Sequence, residues 1–205
     1  MKKILFLLIL LFIILTVFVC FCPILNQWDK NVIVLVQEKL KDVPTWIPML
    51  LDCKLYSISI IIPILIGIVY FFRQYLFIDV LLFAVSPVVP FLFNHIFKEL
   101  IQRPRPPYEL QMVHPDSFSY VSSHTLISFC LWGLVIFYLK KYCQNRILKS
   151  LGIIFAILWI FAIGLSRIWL GVHYPSDVIG AYIVGSIILI LHIKIIKILG
   201  GKYQE

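Results

Sequence analysis

Polar side chains suited to phosphate chemistry recur in this sequence at three places where long apolar segments begin or end. They are lysine, arginine, serine, histidine and aspartate, with a proline in the first group: Lys98, Arg103, Arg105 and Pro106; then Ser122, Ser123 and His124; then Ser166, Arg167, His173 and Asp177. Cations and histidines are costly next to lipid, so their clustering here calls for a functional reason. Fixed cations, two histidines and one carboxylate are the groups that phosphoryl transfer requires.

The spacing of His173 and Asp177 suggests an oriented imidazole. Pro175 suits the first turn of a helix, so His173 precedes that helix and Asp177 lies within it. A carboxylate at this distance can accept a hydrogen bond from one ring nitrogen, which leaves the other nitrogen available as a nucleophile or base. The pair alone is more often structural, and Arg167, six residues upstream, strengthens the functional interpretation.

The other two groups suit anion binding. Ser122 or Ser123 is a natural helix N-cap, and the amides of the first turn can bind an anion beside His124. Lys98 and Arg105 occupy a proline-stiffened loop, where arginine offers a planar fork and lysine a point charge to phosphate oxygens. Taken singly, the alternatives are a plain serine cap and an ordinary solvated basic loop.

Taken together, the three groups match one reaction. The cations Lys98, Arg105 and Arg167 could hold the oxygens of a transferring phosphoryl group without a metal. His173 could attack the phosphorus, and His124 could protonate the leaving oxygen. If none of the groups were functional, a structural His–Asp pair, a plain serine cap and a solvated basic loop would all have to occur together in one small protein.

The elements that must position these groups are membrane helices. The chain has 205 residues, of which 61% are hydrophobic and 14% charged, and its mean hydropathy is +0.99. Such values indicate an integral membrane protein. Six candidate spans are each long enough for a hydrocarbon core of about 30 Å: 4–25, 47–72, 76–97, 122–139, 150–170 and 178–199. Short connections predict an all-α, six-transmembrane-helix bundle forming a single membrane-embedded domain over 1–205.

The first apolar run is interpreted as a retained transmembrane helix rather than a signal peptide. It is about twenty residues long, and no small-x-small cleavage site follows it. The five cysteines are odd in number and lack metal-ligand spacing, so no metal or cofactor is expected from them.

The net charge of +8 comes from basic residues near span ends. Ten of them fall on one side if six spans alternate: Lys2, Lys3, Arg73, Lys140, Lys141, Arg146, Lys149, Lys194, Lys197 and Lys202. The positive-inside rule makes that side cytoplasmic, with both termini inside, and puts all three polar groups on the outer face. The net positive charge is therefore explained by membrane topology and by contact with anionic lipid headgroups, rather than by binding of nucleic acid.

Residues 26–46 form another outer segment. Val32, Leu35, Val36 and Leu40 recur at helical spacing, which predicts an amphipathic interfacial helix over Asp29–Lys41. It could be a surface lid or spacer, or it could guide a lipid substrate. Three further loop residues that could contact a headgroup are Arg103, Tyr108 and His114.

The three motifs resemble the type 2 phosphatidic acid phosphatase family, whose superfamily also contains the vanadium-dependent haloperoxidases. The pattern is Lys98, six residues, Arg105-Pro106; then Ser122-Ser123-His124; then Ser166-Arg167, five residues, His173, three residues and Asp177. The core motifs cover 98–177, and the six-span layout extends the resemblance to nearly the whole chain. The implied fold is an all-helical bundle of the membrane-bound lipid phosphatase branch, with no metal or other cofactor.

The resemblance also implies residue roles. Lys98, Arg105 and Arg167 bind the phosphate, and Ser122 with the Ser123 amide completes the cradle. His173 forms a phosphohistidine and is oriented by Asp177, while His124 is the general acid; water then releases phosphate.

One motif departs from the family pattern. The middle motif usually reads Pro-Ser-Gly-His, but here Val121 and Ser123 replace the proline and the glycine. If the family uses that glycine for a positive φ, a serine there costs about 1 kcal/mol. If the position only lends its amide, serine serves as well.

The expected function is an integral membrane phosphatase that hydrolyses a lipid phosphate or pyrophosphate at the outer face of a bacterial inner membrane. Undecaprenyl pyrophosphate is the first substrate to assay, with phosphatidylglycerol phosphate, phosphatidic acid and lipid A phosphates also open. The expected partners are this lipid substrate and the bilayer. Alternatives are an anion or lipid transporter, a lipid phosphotransferase using the same site, and a metal site built from His124, His173 and Asp177.

Overall fold

The computed structural model of this protein is a helical bundle that describes residues 2–52, 54–73 and 76–201. These residues form nine α-helices and no strand. The helices are α1 (Lys2–Phe21), α2 (Pro23–Lys39), α3 (Trp46–Asp52), α4 (Lys54–Arg73), α5 (Phe77–Ala84), α6 (Val88–Ile101), α7 (Ser123–Tyr142), α8 (Arg146–Trp169) and α9 (Pro175–Gly201). A single 3-10 turn, Tyr108–Leu110, lies in the long loop before α7. Lys202, one of the ten basic residues, lies outside the described residues.

The helices supply five of the six predicted crossings directly. Within the described residues, α1, α7, α8, α9 and the combined segment Phe77–Ile101 are long and apolar enough to span a membrane. The pair Trp46–Asp52 and Tyr56–Tyr70, bent by 41°, makes a sixth crossing if it counts as one broken span rather than a re-entrant loop. Large apolar side chains such as Phe6 and Leu158 are more than 60% exposed, as expected for surfaces that contact lipid tails. The prediction of an all-α multi-pass membrane protein is confirmed.

The first predicted span is shorter than expected. The sequence predicts one apolar segment over 4–25, but α1 ends at Phe21 and α2 begins at Pro23. Proline has no amide to donate, so it is disfavoured inside a helix and favoured in the first turn of a new one. The chain therefore turns at Cys22, and α2 starts at Pro23 rather than at Asp29.

The face that α2 buries also differs from the prediction. Leu35, placed on the apolar face by its spacing, is 51% exposed, whereas Asp29 and Ile33 are fully buried. Helical spacing from Asp29 through Ile33 to Gln37 makes a stripe that faces the rest of the protein. The polar members of this stripe have buried partners, which a hydropathy pattern does not reveal.

Close helix packing holds the bundle together, because lipid tails compete with apolar contacts and leave van der Waals fit as the main attraction. Phe12 of α1 contacts the rings of Phe93 and Phe97 on α6 with centroid distances of 6.3 and 5.3 Å. Tyr120, fully buried before α7, packs against Gly180 of α9 so closely that a Cβ there would lie 2.8 Å from its ring. These contacts bring α1, α6 and α9 around one core.

The helices alternate in direction, so that the same end of the bundle collects the C-terminal ends of α6 and α8 and the N-terminal ends of α7 and α9. Lys98 near the end of α6 donates to Ser117 of the following loop at 3.3 Å. At the opposite end, Lys141 of α7 lies 3.8 Å from Asp79 of α5. The three polar groups of the sequence therefore share one end of the bundle.

A short loop joins α8 to α9 and depends on Gly171. This glycine has φ +68°, and a Cβ there would lie 1.9 Å from the carbonyl oxygen of Leu110. The Leu110 segment is held in turn by the Met112 amide, which donates to the Leu170 carbonyl at 2.9 Å. Only glycine meets both the dihedral and the distance requirement.

We predict that Gly171→Ala destabilises the protein by at least about 1–2 kcal/mol, because a left-handed residue with a side chain is strained and its Cβ collides with backbone. Thermal unfolding of the purified protein in detergent measures the effect. Gly152→Ala is the matched control, since its Cβ would meet only the movable Leu139 side chain, at 2.9 Å. Equal melting temperatures for Gly171→Ala and wild type would contradict the prediction.

Candidate active site

The site is built where four helix ends meet. The long loop 102–122 crosses this end of the bundle and adds its own polar groups between α6 and α7. The sequence-predicted residues found here are Lys98, Arg105, Ser122, Ser123, His124, Arg167, His173 and Asp177.

His173 and Asp177 form the predicted pair. The Asp177 Oδ2 lies 3.3 Å from His173 Nδ1 and accepts a hydrogen bond from the Tyr174 amide at 2.9 Å. The Ser119 hydroxyl donates to the same carboxylate oxygen. Both members of the pair are buried. A carboxylate that accepts at Nδ1 places the ring proton there and leaves Nε2 with its lone pair.

Two cations converge on the open side of that imidazole. Arg105 Nη1 lies 3.4 Å from His173 Nε2 and donates to the Val172 carbonyl at 2.6 Å. The same guanidinium donates through Nη2 to the Ser117 hydroxyl at 3.0 Å, the group that also accepts from Lys98. Arg105 and Lys98 are thus held side by side next to Nε2.

Burial sets the protonation of these loop groups. It lowers the pKa of His173 to about 3, against the hydrogen bond to Asp177, which raises it. The positive charge of Arg105 lowers the His173 pKa further. Burial also lowers the pKa of Arg105 from its very high ordinary value, partly offset by Asp177. His173 is therefore a neutral imidazole at neutral pH, the form with a nucleophilic lone pair.

The start of α7 presents backbone amides. Ser122 occupies the N-cap position, but its hydroxyl accepts from Thr125 at 3.0 Å instead of capping a first-turn amide. The Ser122 amide donates to the Asp177 carbonyl at 3.3 Å, which ties α7 to α9. Ser122 is fully buried, so it lies behind the helix start rather than on its surface.

Ser123 fits where the family pattern has glycine. It is the first residue of α7, and Gln102 is the only non-glycine with positive φ in the described part of the chain. The possible strain of about 1 kcal/mol therefore does not arise. The Ser123 hydroxyl donates to Asn94 Oδ1 at 2.7 Å, and Asn94 Nδ2 donates to the Val121 carbonyl at 2.8 Å. Asn94, buried on α6, therefore accommodates the serine that replaces the glycine of the family motif.

Arg167 and His124 meet at a carboxylate that the sequence analysis did not assign to the site. The buried Arg167 donates through Nη1 to Asp52 at the end of α3, and through Nη2 to Ser166 at 3.0 Å. His124 Nε2 lies 3.5 Å from the same Asp52 oxygen, and its ring lies against that of Tyr56 at 4.1 Å. The site thus has two halves: Lys98, Arg105, His173 and Asp177 on one side, and His124 with Arg167 on the other.

Sequence reasoning also left Arg103 without a specific role. Its guanidinium is buried between Asp29 and Asp177, with contacts of 2.7 and 2.5 Å. The sequence offered no signal for Asp29, since segment 26–46 also contains the acidic residues Glu38 and Asp42. Ser119 and Asn94 carry no signal either, since serine and asparagine are common in loops and at helix ends.

The metal-site alternative lacks the required geometry. Within the described residues, no group of three or more His, Cys, Asp and Glu side chains is arranged to hold a metal ion. His124 contacts Asp52, whereas His173 contacts Asp177, so the two histidines have different carboxylate partners.

Comparison with known proteins supports the motif resemblance. The PAP2 superfamily model matches residues 79–199. Phosphatidylglycerophosphatase B of Bacillus subtilis (strain 168) is 32% identical over 102 residues, covering 49% of each chain. Bacitracin transport permease protein BcrC of Bacillus licheniformis is 36% identical over 72 residues, covering 35% of this chain and 30% of the relative. Each alignment thus spans less than half of the relative's length.

A solved structure gives the fold. The crystal structure of a transmembrane PAP2 type phosphatidylglycerolphosphate phosphatase from Bacillus subtilis superposes with a TM-score of 0.79 and 24% identity. The match covers 93% of this chain and 94% of that one. At this identity the likeness is one of fold, and it confirms the predicted helical membrane core.

The low pKa of His173 makes stability depend on pH. Below its ordinary pKa of 6.5, the unfolded chain binds a proton at this residue and the folded chain does not. We predict that stability is complete above about pH 6.5 and falls as the pH drops toward 3, by about 2 kcal/mol at pH 5. The measurement is thermal unfolding at pH 7.5 and 5.0 of wild type and His173→Gln. Equal losses in the two proteins would contradict it.

Proposed function

This protein belongs to the PAP2 superfamily, and on that premise we propose that it is a metal-independent lipid phosphatase working through a phosphohistidine. One observation carries the proposal. His173 Nε2 faces the Arg105 guanidinium at 3.4 Å while Asp177 contacts the other ring nitrogen. A neutral imidazole oriented in this way beside fixed cations is a nucleophile placed at an oxyanion site.

The first step transfers the phosphoryl group to the protein. Lys98, Arg105 and Arg167, with the first-turn amides of α7, hold the phosphate oxygens. The lone pair of His173 Nε2 forms a bond to phosphorus while the bond from phosphorus to the lipid oxygen breaks. His124 gives its proton to that oxygen, and the lipid leaves as an alcohol or a lower phosphate.

The second step restores the protein. His124, now neutral, takes a proton from water as the water oxygen bonds to phosphorus. The phosphorus–nitrogen bond breaks, inorganic phosphate leaves, and His173 regains its lone pair. Throughout, Asp177 keeps the Nδ1 proton in place and stabilises the positive charge of the substituted ring.

Asp52 has a further part in this scheme, because Arg167 is already paired with it. A phosphate that binds Arg167 must share or displace that carboxylate. Asp52 then remains next to His124, whose Nε2 lies 3.5 Å away. The carboxylate neutralises the half of the site that contains Arg167 and thereby limits cation repulsion before substrate arrives.

The proposed substrate is a lipid phosphate that reaches the site from the bilayer. Phosphatidylglycerol phosphate now comes first in the panel, because the similar curated protein and the similar solved structure, both from Bacillus subtilis, are named for that substrate. Undecaprenyl pyrophosphate, phosphatidic acid and lipid A phosphates complete it.

The proposed orientation is outward, in a bacterial inner membrane, with both termini cytoplasmic. The end of the bundle opposite the site carries the basic residues that the positive-inside rule assigns to the cytoplasm. Lys140, Lys141, Arg146 and Lys149 lie there, around the junction of α7 and α8.

We predict that purified protein releases phosphate from at least one lipid of the panel, unaffected by EDTA and inhibited by orthovanadate. His173→Ala should lower kcat on the order of a thousandfold or more, because no other group supplies the nucleophile. Phosphate release measured in detergent, with folding checked by size-exclusion chromatography, provides the test.

His95→Ala is the matched control for that experiment. His95 is exposed on α6, and the proposed mechanism gives it no role. Its variant should have wild-type activity. Normal turnover by folded His173→Ala would overturn the nucleophile assignment.

Cysteine labelling tests the orientation. In a background with the native cysteines replaced, Tyr108→Cys, at a position 69% exposed near the site, should react with an impermeant maleimide added to intact cells. Gln144→Cys, between α7 and α8, should react only after the membrane is opened. The reverse pattern would place the site on the cytoplasmic side.

A further inference from the structure

Arg103 lies at the centre of a buried polar network that joins the outer helix α2 to the proposed catalytic pair. We propose that Asp29 and Arg103 are positioning residues for the reaction: they fix the orientation of the Asp177 carboxylate that faces His173. The proposal rests on the phosphatase function above and adds α2 to the parts of the protein that determine its rate.

The geometry of Arg103 is that of a two-sided clamp. One guanidinium nitrogen, Nη1, donates to Asp177 Oδ1 at 2.5 Å and to the Ser176 hydroxyl at 2.8 Å. The other, Nη2, donates to Asp29 Oδ2 at 2.7 Å and to Asn26 Oδ1 at 2.9 Å. The face of the guanidinium lies over the Tyr174 ring, 4.1 Å from its centroid. These contacts together fix the position and the orientation of the Arg103 guanidinium.

The clamp divides the two oxygens of Asp177 between different tasks. Oδ1 is occupied by Arg103, and Oδ2 accepts from Ser119, from the Tyr174 amide and from His173. A rotation of the carboxylate would break the contacts on both oxygens at once. Arg103 thus fixes, through Oδ1, the carboxylate whose other oxygen orients the imidazole.

Asp29 binds the Arg103 guanidinium on the side opposite Asp177. Its carboxylate accepts from the Ser176 amide at 2.9 Å, from the Ser176 hydroxyl at 2.5 Å and from Arg103. It is fully buried, and α9 begins at the residue before Ser176. α2 is therefore attached to the start of the helix that carries Asp177.

The other half of α2 is attached to the same end of the bundle. Gln37 Nε2 donates to the carbonyls of Leu110 and Trp169 at 2.8 and 3.0 Å. Ile24 and Trp28, on the outward side, are exposed as expected at a lipid interface. A lid would have to break the Asp29 and Gln37 contacts on opening, so α2 acts as a wall of the site.

Charge supplies a readout that a purely structural role does not share. Asp177 faces Arg103 and Arg105 of the loop, Lys98 of α6, and His173 and Tyr174 of its own segment, with Asp29 of α2 behind Arg103. Removing Arg103 removes the cation in direct contact with that carboxylate. His173, which is hydrogen-bonded to that carboxylate, then takes up a proton at a higher pH, and this proton removes its nucleophilic lone pair.

The experiment compares purified full-length variants on the lipid that wild type hydrolyses. Arg103→Gln should lower kcat at least about tenfold and move the acid limb of the kcat profile to higher pH by about one unit. Arg103→Lys keeps the charge but cannot bridge both carboxylates as a fork. It should lower kcat with little change in the acid limb. Asp29→Asn should lower kcat about tenfold with KM within about twofold, because Asp29 does not touch substrate.

Asp42→Asn is the matched control, since Asp42 is an exposed acid that follows α2 on the same side, and it should have wild-type kinetics. If Asp29→Asn fails to fold, Ser176→Ala replaces it, because this variant removes the hydroxyl shared by Asp29 and Arg103 and preserves every charge. Folded variants with wild-type kcat and an unmoved acid limb would overturn the proposal. Inactive wild-type protein on the whole panel would instead reject the proposed function.

Discussion

The site depends on one electrostatic constraint: a charge buried at the edge of a membrane must have an opposite charge in contact with it. Arg103 meets this requirement for Asp29 and Asp177 together, with contacts of 2.7 and 2.5 Å. Because those carboxylates belong to α2 and α9, the pairing fixes α2 against the helix that bears Asp177, the partner of the proposed nucleophile. The loop between α6 and α7 is held by the same guanidinium. Three chain segments, far apart in sequence, are thus joined by the ion pairs that Arg103 forms with Asp29 and Asp177.

A site for phosphate has the converse difficulty, since it must gather cations before its anion arrives. The protein places its own carboxylates next to these cations. Asp52 pairs with Arg167 and lies next to His124, while Asp177 moderates the field of Lys98 and Arg105. The two carboxylates differ in what a ligand can do to them. Asp177 is fully buried, with both oxygens bonded, whereas Asp52 keeps part of its side chain exposed.

Features that depend on the spacing of nearby residues could be predicted from the sequence. Contacts between segments that are far apart in the chain could not. Apolar runs of membrane length indicate an all-α multi-pass membrane protein, and the separation of His173 from Asp177 is set by a single helix start, so both were predicted. The burial of Asp29 was missed because it depends on the turn at Cys22, which brings a polar stripe of α2 over Arg103. Asp52 was missed because nothing near it in sequence points to Arg167. Asn94 could be linked to Ser123 only through the packing of α6 on α7.

The pairing of Ser123 with Asn94 separates two kinds of motif position. Where a motif residue supplies only its backbone amide, with negative φ, its side chain is available for a second, local purpose. At position 123 that purpose is a hydrogen bond to a neighbouring helix. Position 171 has no such latitude, because its dihedral angle and its distance to Leu110 both exclude a side chain. Substitutions at positions 123 and 94 are therefore expected to occur together, because the two side chains link α7 to α6. Position 171 is expected to remain glycine.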